Sequence, residues 1–284
     1  MEQDEFYIGW QPKAPLSFAA HVKRVLRFIM PAAIITALLT ASFQKRFSRA
    51  NFEFGTVTTV KGIYIAEPVP MLKVIAGKDL WGNAAFITIP LVGYGKHGAA
   101  TAIKEIESEK GISLSNREVT LKGTLLYGSG KTWLQVNKED NPVVNIGNTA
   151  GSSLLPVKKD LGNLVISGEI IDPKCYFGVM KPGEGKVHRD CATRCILGGI
   201  PPVLKVRDEK GVEHFYLIAG SGRNVSDIVK DYIAEPVAVH ANLVQQDDWD
   251  ILYINSSSSI ARISKREMLQ PGLVAMNCVS NCCK

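Results

Sequence analysis

Three cysteines and one histidine lie close together in residues 175–195 of the chain. Thiolate sulfur and imidazole nitrogen are ligands that zinc and copper prefer in proteins. His188, Cys191 and Cys195 follow one another at spacings of three and four residues, so a helix would place them on one face. Cys175 can complete the set from the end of a preceding strand. The sequence predicts a metal site at Cys175, His188, Cys191 and Cys195.

The sequence is compatible with a metal site, a structural disulfide or a redox site at these residues. Three sulfurs and one imidazole suit zinc, and participation of Met180 or His214 would suit copper. A structural disulfide from Cys175 to Cys191 or Cys195 would instead stabilise the fold by about 2 to 4 kcal/mol. A redox or metal-transfer site would keep a reactive cysteine pair within reach of partners.

The remaining cysteines, Cys278, Cys282 and Cys283, lie at the carboxyl end, where chains are usually mobile. Six cysteines in 284 residues are too few for a small disulfide-built scaffold. We therefore place these three outside the predicted site.

An uncharged stretch near the amino terminus reads FIMPAAIITALLTASF, from Phe28 to Phe43. With the residues just before it, the stretch approaches the roughly 20 apolar residues that cross a bilayer. A signal peptide normally starts with a short basic leader, whereas here 24 mostly polar residues, including acidic ones, come first. The sequence predicts an uncleaved transmembrane helix at residues 25–44, with a cleaved signal or a buried helix as the alternatives.

Basic residues flank this predicted helix on both sides almost equally, so the positive-inside rule does not decide the orientation. A short leader and a single span favour an amino terminus inside the cell. The expected location is a single-pass protein of the cell membrane with its carboxyl-terminal domains outside the cytoplasm, in the periplasm.

A β-rich unit occurs twice after the helix. The segment VTLKGTL at 119–125 matches VAVHANL at 237–243, and WLQVN at 133–137 matches ILYIN at 251–255 at the same offset of 118. The start of each copy is matched at another offset, pairing Gly55 with Gly168 and Gly62 with Cys175. This shared register indicates a duplication.

Each copy is predicted to contain three strands, one short helix and two further strands, which is the order of the OB fold. In the second copy, Ser226 is predicted to cap the short helix. The fold class is mainly β, with an amino-terminal transmembrane helix followed by two tandem OB-like β-barrels; one continuous β-sandwich is the alternative. The expected organisation is a tail at 1–24, the helix at 25–44, a first barrel at 52–140, a second barrel with the Cys/His insertion at 160–260, and a tail at 261–284.

Several functions lack their sequence signals. Aromatic residues make up 8% of the chain and no basic stripe accompanies them, which disfavours a single-stranded nucleic-acid binder. The run Gly128-Ser129-Gly130-Lys131-Thr132 lacks the first glycine of a phosphate-binding loop and predicts a hairpin turn. The chain also contains no H-E-x-x-H or G-x-S-x-G pattern.

One group of proteins resembles this chain from Gly168 to Asn255. The run G-E-I-I-D-P-K-C, then H-R-D-C-A-T-R-C and G-G-I-P-P-V-L, is similar to uncharacterised bacterial membrane-anchored envelope proteins with a small OB-like β-barrel domain. In that group D-x-x-C precedes H-x-x-C-A-x-x-C. The resemblance implies an extracytoplasmic barrel and a grouping of Cys175, His188, Cys191 and Cys195, but it implies no activity.

Three functions remain as hypotheses. The first is a membrane-anchored extracytoplasmic protein whose Cys/His metal or redox site serves a membrane complex, such as a respiratory one, through protein partners. The second is a non-catalytic interaction module with a structural disulfide. The third is an enzyme in which Cys191 or Cys195 is the nucleophile and His188 the base.

Overall fold

The computed structural model of the protein describes residues 15–43, 50–78, 84–220 and 224–268. These residues form two compact units, an amino-terminal helix and a larger β-rich unit. Cys278, Cys282 and Cys283 lie outside the described residues, as does most of each predicted tail.

Helix α1 runs from Leu16 to Phe43 and none of its residues is buried by protein. Its 28 residues span about 42 Å, more than the roughly 30 Å of a bilayer core. The Thr36, Thr40 and Ser42 hydroxyls donate to carbonyls four residues earlier, so these polar groups have hydrogen-bond partners within the helix itself. One helix is thus long and apolar enough to cross a membrane. It begins at Leu16, nine residues before the start of the predicted span, so the helix includes charged residues before the uncharged stretch.

The first barrel closes in the strand order β2-β3-β4-β6-β5 and back to β2. Its helix α2 (Ala99–Lys110) lies between β4 and β5, as predicted. The pair β4 and β6 is parallel and the other neighbours are antiparallel. Short strands β1 (Ala50–Phe52) and β7 (Val143–Thr149) add to β5. The five barrel strands are β2 (Thr58–Ile65), β3 (Met71–Lys78), β4 (Ala84–Gly93), β5 (Arg117–Gly128) and β6 (Lys131–Val136).

The second barrel repeats this topology in the order β8-β9-β10-β12-β11 and back to β8. Strands β10 and β12 form the parallel pair, helix α4 (Val225–Val229) precedes β11, and β13 (Ile260–Arg262) adds to β11. A last helix, α5, covers Lys265–Met268. The prediction of a mainly β chain with two OB-like barrels is confirmed. The strands are β8 (Lys158–Ile171), β9 (Val203–Arg207), β10 (Glu213–Gly220), β11 (Pro236–Gln246) and β12 (Trp249–Ile254).

The register of the first strands corrects the predicted pairing of Gly55 with Gly168 and of Gly62 with Cys175. Gly62 lies opposite Val119 in β5, and Gly168 lies opposite Val237 in β11. Because Val119 and Val237 are related by the offset of 118, Gly62 is the counterpart of Gly168. A Cβ at either glycine would approach a carbonyl oxygen of the next strand, so both barrels need a glycine there.

A second difference concerns the start of α4, where the sequence predicts that Ser226 caps the helix. The side chain of Asn224 is the cap instead, because its oxygen accepts a hydrogen bond from the backbone N–H of Ser226. The Ser226 hydroxyl donates to the Ile196 carbonyl and ties α4 to the Cys/His insertion.

Three hydrophobic cores hold the larger unit together. One belongs to the first barrel, one to the second, and the third combines residues of both. The shared core includes Trp133 and Trp249, whose ring centroids lie 5.5 Å apart in an edge-to-face arrangement. It also includes Cys175 and Cys195. The predicted site therefore borders the junction of the two barrels.

Candidate metal and thiol site

The insertion that carries the cysteines connects β8 to β9. Asp172 follows β8, and its Oδ1 accepts a hydrogen bond from the backbone N–H of Lys174, which starts the helical turn at Cys175–Val179. A second short turn at Lys186–His188 leads directly into helix α3 (Arg189–Leu197). These turns return the chain to Cys175 after the intervening loop.

Cys175, His188 and Cys191 converge on one point. One ligand atom from each of these side chains lies within 4.8 Å of the other two. The spacing of three residues places His188 and Cys191 on the same side at the start of α3, while the helical turn after β8 supplies Cys175. Three of the four predicted ligands thus form one group that can hold a metal ion.

Cys195 belongs to a second group. Its sulfur, the Cys175 sulfur and an Asp172 carboxylate oxygen lie within 4.8 Å of one another. Cys175 is common to both groups. Asp172 was not among the predicted ligands, although it stands in the D-x-x-C run of the sequence. That run was the available signal, since an acidic side chain three residues before a cysteine shares its helical turn.

Four of these five residues are buried and Cys191 is half-buried. A hydrogen bond with Cys195 is the largest influence on the Cys175 thiol; together with burial and the Asp172 charge, it raises the pKa of that thiol far above its ordinary value. Without a cation, Cys175 therefore stays a neutral thiol. A bound cation would reverse this preference, because it stabilises the thiolate.

Burial also determines the state of the histidine. It lowers the pKa of His188 below its ordinary value, against a smaller opposing effect of the Asp172 charge. The imidazole is therefore neutral at neutral pH, which is the form that binds metals. Two buried atoms of the cluster, His188 Nε2 and Asp172 Oδ2, have no hydrogen-bond partner among the described residues.

Cys191 faces the open side of the cluster. Its thiol lies 3.6 Å from the Met180 sulfur, and the Lys96 ammonium donates a hydrogen bond to the Cys191 sulfur at 3.4 Å. Met180 therefore adds a thioether beside the first group, as the copper alternative requires. His214 does not join it: its ring Nε2 lies 3.2 Å from Asp208 Oδ2, and both side chains are exposed.

The first barrel supplies one wall of the site. Besides Lys96, the end of β4 and the loop after it contribute the Gly93 and Gly95 carbonyls, which accept hydrogen bonds from the buried Lys174 ammonium at 2.7 Å each. The Gly98 N–H donates to the Gly198 carbonyl just after α3. Thus the site is formed by the second barrel but completed by the first.

The three described cysteines are all free thiols, so neither of the predicted disulfides from Cys175 is formed. A Cys/His/Asp arrangement of this kind can bind a metal ion. Comparisons with protein-family models and with curated protein sequences give no match. The function is therefore argued from the geometry of the chain itself.

Proposed function

We propose that this protein is a membrane-anchored, extracytoplasmic metal-binding protein that serves as an accessory subunit of a membrane complex. The metal ion is zinc or copper, bound by Cys175, His188 and Cys191. The convergence of these three side chains within 4.8 Å carries the proposal. Sulfur and imidazole ligands at such separations match a tetrahedral ion, whose zinc–sulfur distance is about 2.3 Å.

The unsatisfied atoms of the cluster support metal binding. Buried polar groups almost always have a partner, and an unpaired one costs about 1 to 3 kcal/mol. His188 is 3% exposed and its Nε2 has no hydrogen-bond partner among the described residues. A metal ion would pair with the histidine and would also neutralise the thiolates of Cys175 and Cys191.

The surroundings of Cys191 distinguish an exchangeable site from a closed structural one. A structural zinc site has four protein ligands, whereas a site that exchanges its ion or reacts keeps one position open. The first group supplies three ligands, and the fourth position lies beside the half-exposed Cys191. Copper(I) accepts thioether sulfur readily, so Met180 is the side chain that would favour copper there.

Helix α1 supports a role in a membrane complex. Helix α1 has a mean hydropathy of 1.8 over its most apolar window, and such a single helix keeps the barrels near other membrane proteins. The proposal also places the barrels outside the cytoplasm, an orientation that protease accessibility tests. Aromatic residues make up only 8% of the chain, which disfavours a single-stranded nucleic-acid binder, so we propose protein partners.

A second candidate is a non-catalytic interaction module held by a disulfide between Cys175 and Cys195. The mutual approach of these two buried sulfurs favours it. A location outside the cytoplasm would supply the oxidising conditions that this bond requires. The two candidates are mutually exclusive at Cys175, because a disulfide sulfur is no longer a thiolate ligand.

Metal analysis of the full chain in detergent tests the proposal. We expect bound zinc or copper, and we expect His188→Ala to weaken its affinity about 100-fold or more in a competition titration. His214→Ala is the matched control and should leave the affinity within about twofold, because His214 lies outside the cluster. A chain without metal that contains an oxidised Cys175 would reject the metal site in favour of the disulfide module.

A further inference from the structure

We infer that the cluster binds two divalent metal ions, bridged by the thiolate of Cys175. This inference rests on the proposed function and extends it to the buried side of the cluster. The outer ion is bound by Cys175, His188 and Cys191. The inner ion is bound by Cys175, Cys195 and Asp172.

The way the two groups overlap carries this inference. Two ligands of one zinc ion can be at most about 4.6 Å apart, twice the zinc–sulfur distance. Within each group the ligand atoms lie within 4.8 Å of one another, close to this limit, and Cys195 is absent from the group that contains His188 and Cys191. One ion therefore does not gather all the ligands. The Cys175 sulfur is the atom common to both groups, and a thiolate has enough lone pairs to bind two ions.

Asp172 is the second observation that points to an inner ion. Its side chain is completely buried, and its Oδ2 has no hydrogen-bond partner among the described residues. Its Oδ1 is already used by the Lys174 N–H. A carboxylate oxygen in such a position is a suitable ligand for a cation, because burying an ionised carboxylate without a partner costs free energy.

The charge of the ligands favours two ions over one. Three thiolates and one carboxylate carry four negative charges, which two divalent ions balance; with the outer ion alone, Cys195 would keep its proton and the Asp172 carboxylate would stay buried with no ion bound to it. A second divalent ion neutralises the set. The Lys174 ammonium lies nearby and interacts with the Asp172 charge, but its Nζ donates to the Gly93 and Gly95 carbonyls and its single positive charge offsets only one of the four negative charges.

The inner position is closed and the outer one is open. Cys195 and Asp172 are buried at the shared core, whereas Cys191 reaches solvent beside Met180 and Lys96. The inner ion would therefore exchange slowly and the outer ion quickly. This difference gives the two ions separate roles: the inner one positions Cys175, and the outer one is accessible to a partner.

The test measures Zn²⁺ bound per chain in the full protein in detergent. The background variant carries serine at the three carboxyl-terminal cysteines, Cys278, Cys282 and Cys283, so that the tail contributes no ligands. We expect about two ions in the background and about one in Cys195→Ser. His188→Ala should also retain about one ion, the slowly exchanging inner one, and Cys175→Ser should lose both.

The outcomes separate this inference from the proposed function. One ion in the background, unchanged by Cys195→Ser and by Asp172→Asn but lost in His188→Ala, overturns the bridged pair and leaves the proposed site standing. No ion in the background overturns both. Circular dichroism shows whether Cys195→Ser disturbs folding. If it does, Asp172→Asn replaces it as the test of the inner ion, because asparagine keeps the shape of the aspartate side chain.

Discussion

Asp172 and Lys174 show how single buried charges arrange this site. Burial lowers the pKa of Lys174, against the opposing effect of the Asp172 charge, and two glycine carbonyls of the first barrel accept its hydrogen bonds. Lys174 thus has hydrogen-bond partners in the first barrel, whereas Asp172 Oδ2 has none among the described residues. This asymmetry is what leaves a carboxylate ligand free for a cation.

Glu213 allows a residue-level prediction about pH. Burial raises its pKa, but hydrogen bonds from Arg207 and Tyr176 and the charges of Lys205 and Arg207 outweigh this effect and lower the pKa below its ordinary value. A lowered carboxyl pKa stabilises the fold above the ordinary value, about 4.3, and this stabilisation is lost as the pH falls through the folded-state pKa. We expect Glu213→Gln to lower the free energy of unfolding by about 1 to 2 kcal/mol at pH 7.

The pH series of denaturant titrations tests this sign. The difference between wild type and Glu213→Gln should shrink as the pH falls below about 4.3 and through the folded-state pKa, because the wild-type side chain then also becomes uncharged. The exposed Glu139→Gln is the control and should differ little from wild type at any pH. A difference that stays constant from pH 7 to pH 3 would contradict the assignment.

At the scale of elements, the insertion shows what the sequence can and cannot predict. The spacing of His188 and Cys191 predicts their meeting, because residues three apart on a helix are neighbours. Cys195 shares that helix one turn later, yet its ligand group contains Cys175 and Asp172 and not His188 or Cys191. Local spacing predicts which side chains share a face but not which third element meets them.

Lys96 marks the limit of such reasoning. It is 95 positions from Cys191 and lies in the other barrel, so no local pattern connects the two. The repeat predicted two barrels correctly, because its strands share hydrophobic alternation. It misplaced the first strand, because Gly55 and Gly62 both offer a glycine near the start of the copy. The junction of the barrels has no counterpart in local sequence at all.

The contact between the loop before α2 and the end of α3 gives an element-level prediction. A Cβ at Gly98 would overlap the Gly199 carbonyl oxygen, and it would separate the backbones that bond through Gly98 and Gly198. We expect Gly98→Ala to destabilise the protein by about 1 to 3 kcal/mol. Gly98 has φ −75°, which alanine adopts freely, so the effect would come from the contact alone.

Gly151→Ala is the control for this substitution. Gly151 has φ −62° and also precedes a short helical turn, but an added Cβ meets nothing within 4 Å. Chemical denaturation of both variants measures the difference. Equal stability of the two variants would show that the barrels do not meet at Gly98.

At the scale of the whole molecule, the second barrel is joined to the first through the turn between β11 and β12. Asp247 forms an ion pair with the buried Lys73 at 2.9 Å, and Asp248 Oδ1 accepts a hydrogen bond from the Thr88 N–H. The Trp249 indole N–H donates to the Thr88 carbonyl at 2.8 Å. These bonds surround a core to which both barrels contribute, so the barrels behave as one structural unit.

This junction predicts cooperative unfolding. We expect the β-rich unit of the wild type to unfold in a single thermal transition, and Trp249→Ala to destabilise that transition by about 3 to 5 kcal/mol through loss of the buried indole. The exposed Val144→Ala should change little. Circular dichroism of the full chain measures both, and two separate transitions, only one of them shifted by Trp249→Ala, would contradict the shared core.

Helix α1, as the proposed membrane anchor, allows a prediction about membrane attachment and orientation. Ile35 lies within α1 and is exposed, so an arginine there would face lipid; on translocon scales this costs about 2.5 to 3.5 kcal/mol. We expect the wild type and Ile35→Leu to resist alkaline extraction from membranes, and a substantial share of Ile35→Arg to be released. Protease added to intact spheroplasts should then digest the wild-type barrels, because the proposed orientation puts them outside. Barrels that resist protease until the cells are lysed would show the opposite orientation. The disulfide alternative at Cys175 would then lack the oxidising surroundings that it requires. The metal ligands would be the same in either orientation.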